Sequence, residues 1–194
     1  MKYILLITLL WFCCLSCKQF AANDPHIEIE TAQGDITLQL FPDKAPKTVA
    51  AFLKYVEAGH YKESNFYRVI KNENVPAEYN TGLIQGGIFH SNPALHQQLK
   101  GTEHESPRVT GLSHTSGTIS MARTTPGSAT SEFFICVGDQ QQFDSSSRVG
   151  SDGLGYAAFG KVVEGMDVLS KIQNKKSNGE SFIEKVRIIN IRRL

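Results

Sequence analysis

The chain has 194 residues, enough for one domain with a sizeable core. Its 20 Lys and Arg against 19 Asp and Glu leave a formal charge of +1, a balance that gives no basic footprint for nucleic acid and none for an anionic membrane surface. The composition is ordinary for a globular protein, without low-complexity tracts, heptads or long-period repeats, which excludes the coiled-coil, solenoid and disordered classes.

Residues 1–17 read as an address segment: Lys2 supplies a positive start, and the apolar run Tyr3 to Leu15 is short of the roughly 20 residues of a bilayer span. Ser16 ahead of Cys17 resembles a bacterial lipoprotein signal, cleaved before a cysteine that then carries lipid, although Cys14 stands where a leucine is usual. Secretion with cleavage near Ala21 or Ala22 is the alternative, and an uncleaved anchor a third. On the first reading residues 18–25 are a tether, 26–194 are the folded domain, and the protein belongs to the cell envelope, facing the periplasm, as an outer-membrane lipoprotein or a soluble periplasmic protein. Of the four cysteines only Cys136 then remains with Cys17, and its apolar setting in Phe-Phe-Ile-Cys-Val marks a small buried hydrophobe rather than a nucleophile.

Ile27 and Ile29 alternate with Glu28 and Glu30, Gln33-Gly34-Asp35 turns the chain, and Ile36, Leu38 and Leu40 repeat the alternation, so a hairpin is predicted. Pro46 opens a helix over 46–58 with Val49, Phe52, Leu53 and Val56 on one stripe and Gly59 as its stop. Asn65-Phe-Tyr-Arg-Val-Ile70 is strongly strand-forming. Strict alternation puts Arg68 on a face with Phe66 and Ile70, where a guanidinium either donates into a binding groove or snorkels from a strand end to water. A polar loop over 71–82 leads to Leu83-Ile-Gln85, and Gly86-Gly87 signals a bulge or a close backbone approach.

Residues 90–117 form a long irregular excursion. Thr118 to Ala122 and Glu132 to Val137 follow as strands, then a loop over 138–155 carrying Phe143, a strand over 156–163, and a short helix marked by Met166, Leu169 and Ile172. Ile183 to Arg192 closes the chain as a strand whose Val186, Ile188, Ile189 and Ile191 require burial on both faces or a bulge. About seven or eight short strands and two helices indicate an antiparallel barrel or sandwich.

No phosphate-binding glycine loop, dinucleotide fingerprint, His-Glu-x-x-His pair or nucleophile elbow is present. The six histidines have no usual metal-ligand spacing, so no metal or other cofactor is expected. Aromatic groups, one Arg, one Gln and long loops remain, an inventory suited to holding an extended peptide.

Phe66-Tyr-Arg-Val-Ile70, Gln85-Gly-Gly87, Gly117-Thr-Ile-Ser-Met-Ala-Arg123, Ser131-Glu-Phe-Phe-Ile135 and Phe159-Gly-Lys-Val162 occur in that order and resemble the cyclophilin-type peptidyl-prolyl cis-trans isomerases from about Ile27 to Arg192. The resemblance implies a mainly β fold, a closed eight-stranded antiparallel β-barrel capped by two α-helices. It implies rotation about Xaa-Pro bonds of proline-containing polypeptides, with the folding of exported proteins as the expected setting, by a monomer without cofactor or nucleic acid. A cell-envelope binding or chaperone module that keeps the barrel without turnover is the alternative.

By the same resemblance Arg68 stands at the catalytic arginine and Gln85 at the substrate-binding glutamine. Ala122 and Arg123 take the positions whose backbone meets the substrate, Phe134 is the floor of the proline pocket, and Leu83, Phe143 and Tyr156 are its walls. The departures are Gly82 for a pocket phenylalanine, Arg123 for a frequent Asn, Glu132 for a usual Gln, Tyr156 for a frequent His, and Gln142 for a tryptophan that helps bind cyclosporin.

Overall fold

The computed structural model describes residues 24–72, 74–145 and 152–194. The address segment, Cys17 and most of the tether lie outside them.

The described residues form nine strands: β1 (His26–Thr31), β2 (Gly34–Leu40), β3 (Ser64–Ile70), β4 (Gly82–Gly87), β5 (Thr118–Met121), β6 (Phe133–Val137), β7 (Ala157–Glu164), β8 (Ser177–Asn178) and β9 (Ser181–Arg193). Eight close into an antiparallel barrel in the order β1-β2-β7-β5-β6-β4-β3-β9, with β9 returning to pair with β1. The two-residue β8 only folds back on β9 as a hairpin arm. Closure leaves no unpaired edge in the barrel wall.

Alternation works as the sequence indicates in β1 and β2, where Ile27, Ile29, Ile36, Leu38 and Leu40 are fully buried. The turn itself is Ala32-Gln33, and Gly34 already pairs with Thr31. In β9 the Ile188 to Ile191 region contains a register shift opposite Glu30 and Thr31. A bulge, not burial on both faces, therefore explains the apolar run.

The helix α1 (Pro46–Glu57) ends one residue before the predicted limit. Val49, Phe52, Tyr55 and Val56 are buried, and Tyr55 takes a place the stripe had given to the half-buried Leu53. Phe52 packs on Tyr61, Phe133 and Phe159 with ring centroids 5.1–5.8 Å apart, so the helix plugs the barrel with aromatic side chains. Ala45 at its N-cap offers no side-chain acceptor. Glu105 supplies it from the long excursion: its carboxylate accepts from the Lys47 and Thr48 amides (3.1 and 2.8 Å) and from the Thr48 hydroxyl (2.7 Å). The second predicted helix is α4 (Met166–Gln173), which buries Leu169 and Ile172. Two one-turn helices, α2 (Pro93–His96) and α3 (Pro107–Thr110), lie in the excursion and are additional to the two expected. Four residues each are too few for a hydrophobic period to announce them.

β6 is buried along its whole length. Phe133, Ile135 and Val137 belong to the barrel interior, while Phe134 and Cys136 join Leu83 in a second apolar cluster. That second cluster is where the site lies.

Candidate active site

The register of the barrel sets the site. Arg68 on β3 pairs with Gln85 on β4, Gln85 pairs with Phe134 on β6, and Phe134 pairs with Ser120 on β5. One cross-strand row thus carries a cation, an amide and an aromatic ring side by side.

Arg68 reaches this row through a distortion that strict alternation does not contain. The pairing of β3 with β4 shifts between Phe66 and Arg68, leaving Tyr67 as an extra residue on β3. The pairing with β9 shifts at the same place, with the surplus residues on β9 between Val186 and Ser181. Phe66 and Val69 are therefore buried in the interior, and Tyr67, Arg68 and Ile70 line the cavity on the other face. Arg68 keeps Ile70 as a same-face neighbour and loses Phe66, correcting the alternation described above.

The cavity has a volume of about 840 Å³. Leu83, Gln85, Ala122, Arg123, Phe134, Phe143 and Tyr156 all line it with Arg68, so every expected substrate-site residue meets in one place. Phe134 forms the floor, with Phe143 and Tyr156 edge-on to it at centroid distances of 5.5 and 5.4 Å. His114 stacks beneath at 5.8 Å and 14°. It is fully buried and held between Asp144 (Nδ1, 2.6 Å) and the Ser120 hydroxyl (Nε2, 3.0 Å). Burial lowers its pKa against the opposing pull of Asp144. Cys136 is buried in the same cluster, and burial pushes its thiol up to about 12, which removes it as a nucleophile.

Gly82 cannot supply the missing aromatic wall. Its φ is +144°, and a Cβ there would sit 2.0 Å from the Ile70 carbonyl oxygen. Ile70 itself contributes apolar surface to the cavity.

Ala122 and Arg123 make contacts of their own within the protein. The Ala122 amide is already committed to the Glu132 carbonyl (2.8 Å), so only its own carbonyl could meet a ligand backbone. The Arg123 side chain, 5% exposed, makes a bidentate pair with Asp152 (2.7 and 2.9 Å) and donates to the Gly155 carbonyl. Its guanidinium carbon lies 5.3 Å from the Tyr156 ring centroid, so it fixes a wall of the pocket. The hydrogen bonds from Arg123 hold Asp152 down to about pH 2 in its titration.

The Arg68 guanidinium is 39% exposed and held from two sides. Nε and Nη2 donate to Oε2 of Glu180 in the β8–β9 turn (2.8 and 2.6 Å), and Nη1 donates to Oε1 of Gln85 (2.8 Å). Of the five N–H groups of a guanidinium, one on Nη1 and one on Nη2 remain to be offered. Gln85 Nε2 in turn donates to the Tyr67 hydroxyl (2.8 Å), and Tyr67 donates to Glu132 Oε2 (2.8 Å). The other Glu132 oxygen accepts from the Phe89 amide (3.0 Å) and the Ser131 hydroxyl (3.1 Å). Burial raises the Glu132 carboxyl above its ordinary value in spite of these bonds, and burial also pushes the Tyr67 phenol well up. Gly87 makes the room: a Cβ there would lie 2.4 Å from the Glu132 carboxylate.

Tyr67, Ile70, Glu180 and His114 carry parts of this site that were not singled out from sequence. Glu180 lies 112 residues from its partner, and only the folded hairpin reveals the pairing.

A closed antiparallel barrel thus carries on its outer face an apolar cavity in which an aromatic ring lies beside an arginine-glutamine pair. The family model described as cyclophilin type peptidyl-prolyl cis-trans isomerase/CLD matches residues 26–193, and the chain belongs to that family. Peptidyl-prolyl cis-trans isomerase B of Escherichia coli (strain K12) is 40% identical over 148 residues, covering 76% of this chain and 83% of the relative. A peptidyl-prolyl cis-trans isomerase of Acinetobacter baylyi is 40% identical over 155 residues, covering 79% of this chain and 74% of the relative. A solved Cryptosporidium parvum cyclophilin-type isomerase, crystallised in the presence of the dipeptide Ala-Pro, superposes with a TM-score of 0.66 at 25% identity, covering 86% of this chain and 97% of that one.

Proposed function

We propose that this protein is an active peptidyl-prolyl cis-trans isomerase, with Arg68 as its catalytic residue and Phe134 as the floor on which the proline ring rests. The observation that carries this is the single cross-strand row of Arg68, Gln85 and Phe134.

The chemistry needs no acid, base or cofactor. Cis and trans Xaa-Pro differ by about 0.5–1 kcal/mol, but the barrier between them is about 18–20 kcal/mol because rotation breaks amide resonance. Half-way round, the prolyl nitrogen regains its lone pair. A donor aimed at that nitrogen binds the twisted state better than either planar one, which is the condition for acceleration. Arg68 has two N–H groups uncommitted beside the cavity. One charge-assisted hydrogen bond supplies about 1.5–3 kcal/mol. Bringing a crossing of roughly 10–100 s into the millisecond range takes about 5.5 kcal/mol. The remainder comes from holding the ring between Phe134, Phe143, Leu83 and Tyr156 while backbone contacts fix the flanking chain.

A protease-coupled assay on a Xaa-Pro peptide tests this. Native protein accelerates the slow phase, and Arg68→Ala loses about 10- to 150-fold of that acceleration, the range one charged hydrogen bond spans, while still binding the peptide. A native protein that binds the peptide without acceleration is instead a binding or chaperone module.

The clients are proposed to be exported proteins, and the protein itself an envelope lipoprotein; the support is Lys2, the apolar run and Ser16-Cys17 in the sequence. Mass spectrometry of the natural N-terminus gives a lipid-modified Cys17 on this reading. An unmodified terminus near residue 22 or an intact leader contradicts it.

A further inference from the structure

The hydrogen-bond chain behind Arg68 has a direction, and one residue sets it. Glu132 is 8% exposed, and its two oxygens receive three donors: the Phe89 amide, the Ser131 hydroxyl and the Tyr67 hydroxyl. An ionised carboxylate accepts only. The single phenolic proton of Tyr67 must therefore point to Glu132, and the Tyr67 oxygen must accept from its other neighbour. That neighbour is Gln85, whose NH2 is consequently turned to Tyr67 and whose carbonyl oxygen is turned to Arg68 Nη1. Reversing any link sets an NH2 group against the guanidinium, two donors face to face.

We propose that Glu132 and Tyr67 are positioning residues: together they fix the amide orientation of Gln85 and through it the aim of the Arg68 guanidinium. The proposal rests on the isomerase reading above, and it extends that reading to two residues that carry no donor to the substrate. The exposed Glu180 holds the outer edge of the guanidinium, and the Glu132-Tyr67-Gln85 chain sets its inner edge. Gly87, with φ at +145°, is the condition for the arrangement, since any side chain there would occupy the space of the carboxylate.

Glu132→Gln keeps the shape and removes the one-way character. The Phe89 amide and the Ser131 hydroxyl still require an acceptor, so the new amide turns its oxygen to them and its NH2 to Tyr67. Tyr67 must then donate to Gln85, the Gln85 amide flips, and its NH2 meets Arg68. Tyr67→Phe breaks the same chain at a different point with the ring retained. Each single variant is expected to lower kcat/KM in the protease-coupled assay by about tenfold, the scale of one positioning hydrogen bond. Tyr67 and Gln85 line the cavity, so the dissociation constant for a proline peptide, measured by calorimetry, shifts too, but by clearly less than the loss in kcat/KM. The double variant should be no slower than Tyr67→Phe alone, since one chain is broken once. Unchanged kcat/KM in a folded Glu132→Gln protein overturns the proposal and leaves the isomerase reading standing. So do losses that multiply in the double variant, or losses that appear wholly as weaker peptide binding. If Glu132→Gln does not fold, Tyr67→Phe decides by its own rate and binding. No acceleration by native protein overturns both readings together.

Discussion

Arg68 is useful because it is only partly satisfied. Three of its N–H groups are tied to Glu180 and Gln85, so its position is fixed, and two remain for a ligand. Arg68→Lys keeps the charge but cannot hold both anchors and still offer a donor. It is expected to retain less than about a tenth of native kcat/KM, on the scale of one lost charged hydrogen bond; near-native turnover in the coupled assay would contradict the two-anchor account. His114 beneath the floor gives the site a pH dependence of its own. Burial lowers its pKa below the ordinary 6.5, so at mildly acid pH the unfolded chain binds a proton that the native protein refuses. Its contribution to stability is complete above pH 6.5 and is lost as pH falls toward the folded value. Urea midpoints should decline from pH 7.5 to 6, and more steeply in native protein than in His114→Gln. Glu132, raised by burial, titrates with the opposite sign, favouring the fold as it protonates near and above pH 4.5, which is why the His114 variant and not native protein alone is the control. Equal slopes in the two proteins would rule out His114 as the source.

At the scale of elements, what was legible in the sequence depended on range. The hairpin of Ile27 to Leu40 and the plug helix with Pro46 at its start follow from period-two and period-3.6 patterns within a few residues, whereas the outward Phe134 sits in a continuously apolar run that carries no alternation. The bulge at Tyr67 does not follow either, because an extra residue in β3 is fixed by its neighbour β4 and leaves no mark on the pattern of β3 itself. The cap of α1 is a second case. Ala45 looks like an uncapped start, and the acceptor, Glu105, comes from 57 and 58 residues away. Glu105→Ala leaves the Lys47 and Thr48 amides without their partner, and is expected to cost about 1–3 kcal/mol in urea unfolding. The rate of isomerisation well below the melting transition should hardly change. A change under about 0.5 kcal/mol, the ordinary surface-substitution scale, would show that the cap does not anchor the excursion.

For the whole molecule, the barrel matters as a frame with two apolar faces. Its interior is filled by β-branched and aromatic side chains and closed by Phe52, so the wall strands have little freedom to shift. The outer face of β4 and β6 then becomes a rigid floor, and the segments that complete the cavity arrive from distant parts of the chain: Phe143 from the loop after β6, Arg123 and Asp152 bracing Tyr156, Glu180 from the β8–β9 turn. Among the described residues no helix is long and apolar enough to cross a membrane, and no cluster of His, Cys, Asp and Glu could hold a metal ion. The family model covers the whole barrel, and at the cavity rim Gly82 gives backbone room with Ile70 beside it while Arg123 braces Tyr156.

The central claim is that Arg68 lowers the rotation barrier and does not merely hold the peptide. Magnetisation exchange between the cis and trans signals of a Xaa-Pro peptide measures rotation without any coupled protease. Catalytic amounts of native protein should produce cis-trans exchange peaks on a sub-second timescale. Arg68→Ala at the same peptide occupancy should slow that exchange by about 10- to 150-fold. Exchange of equal speed with both proteins, or none with the native one, would contradict the account.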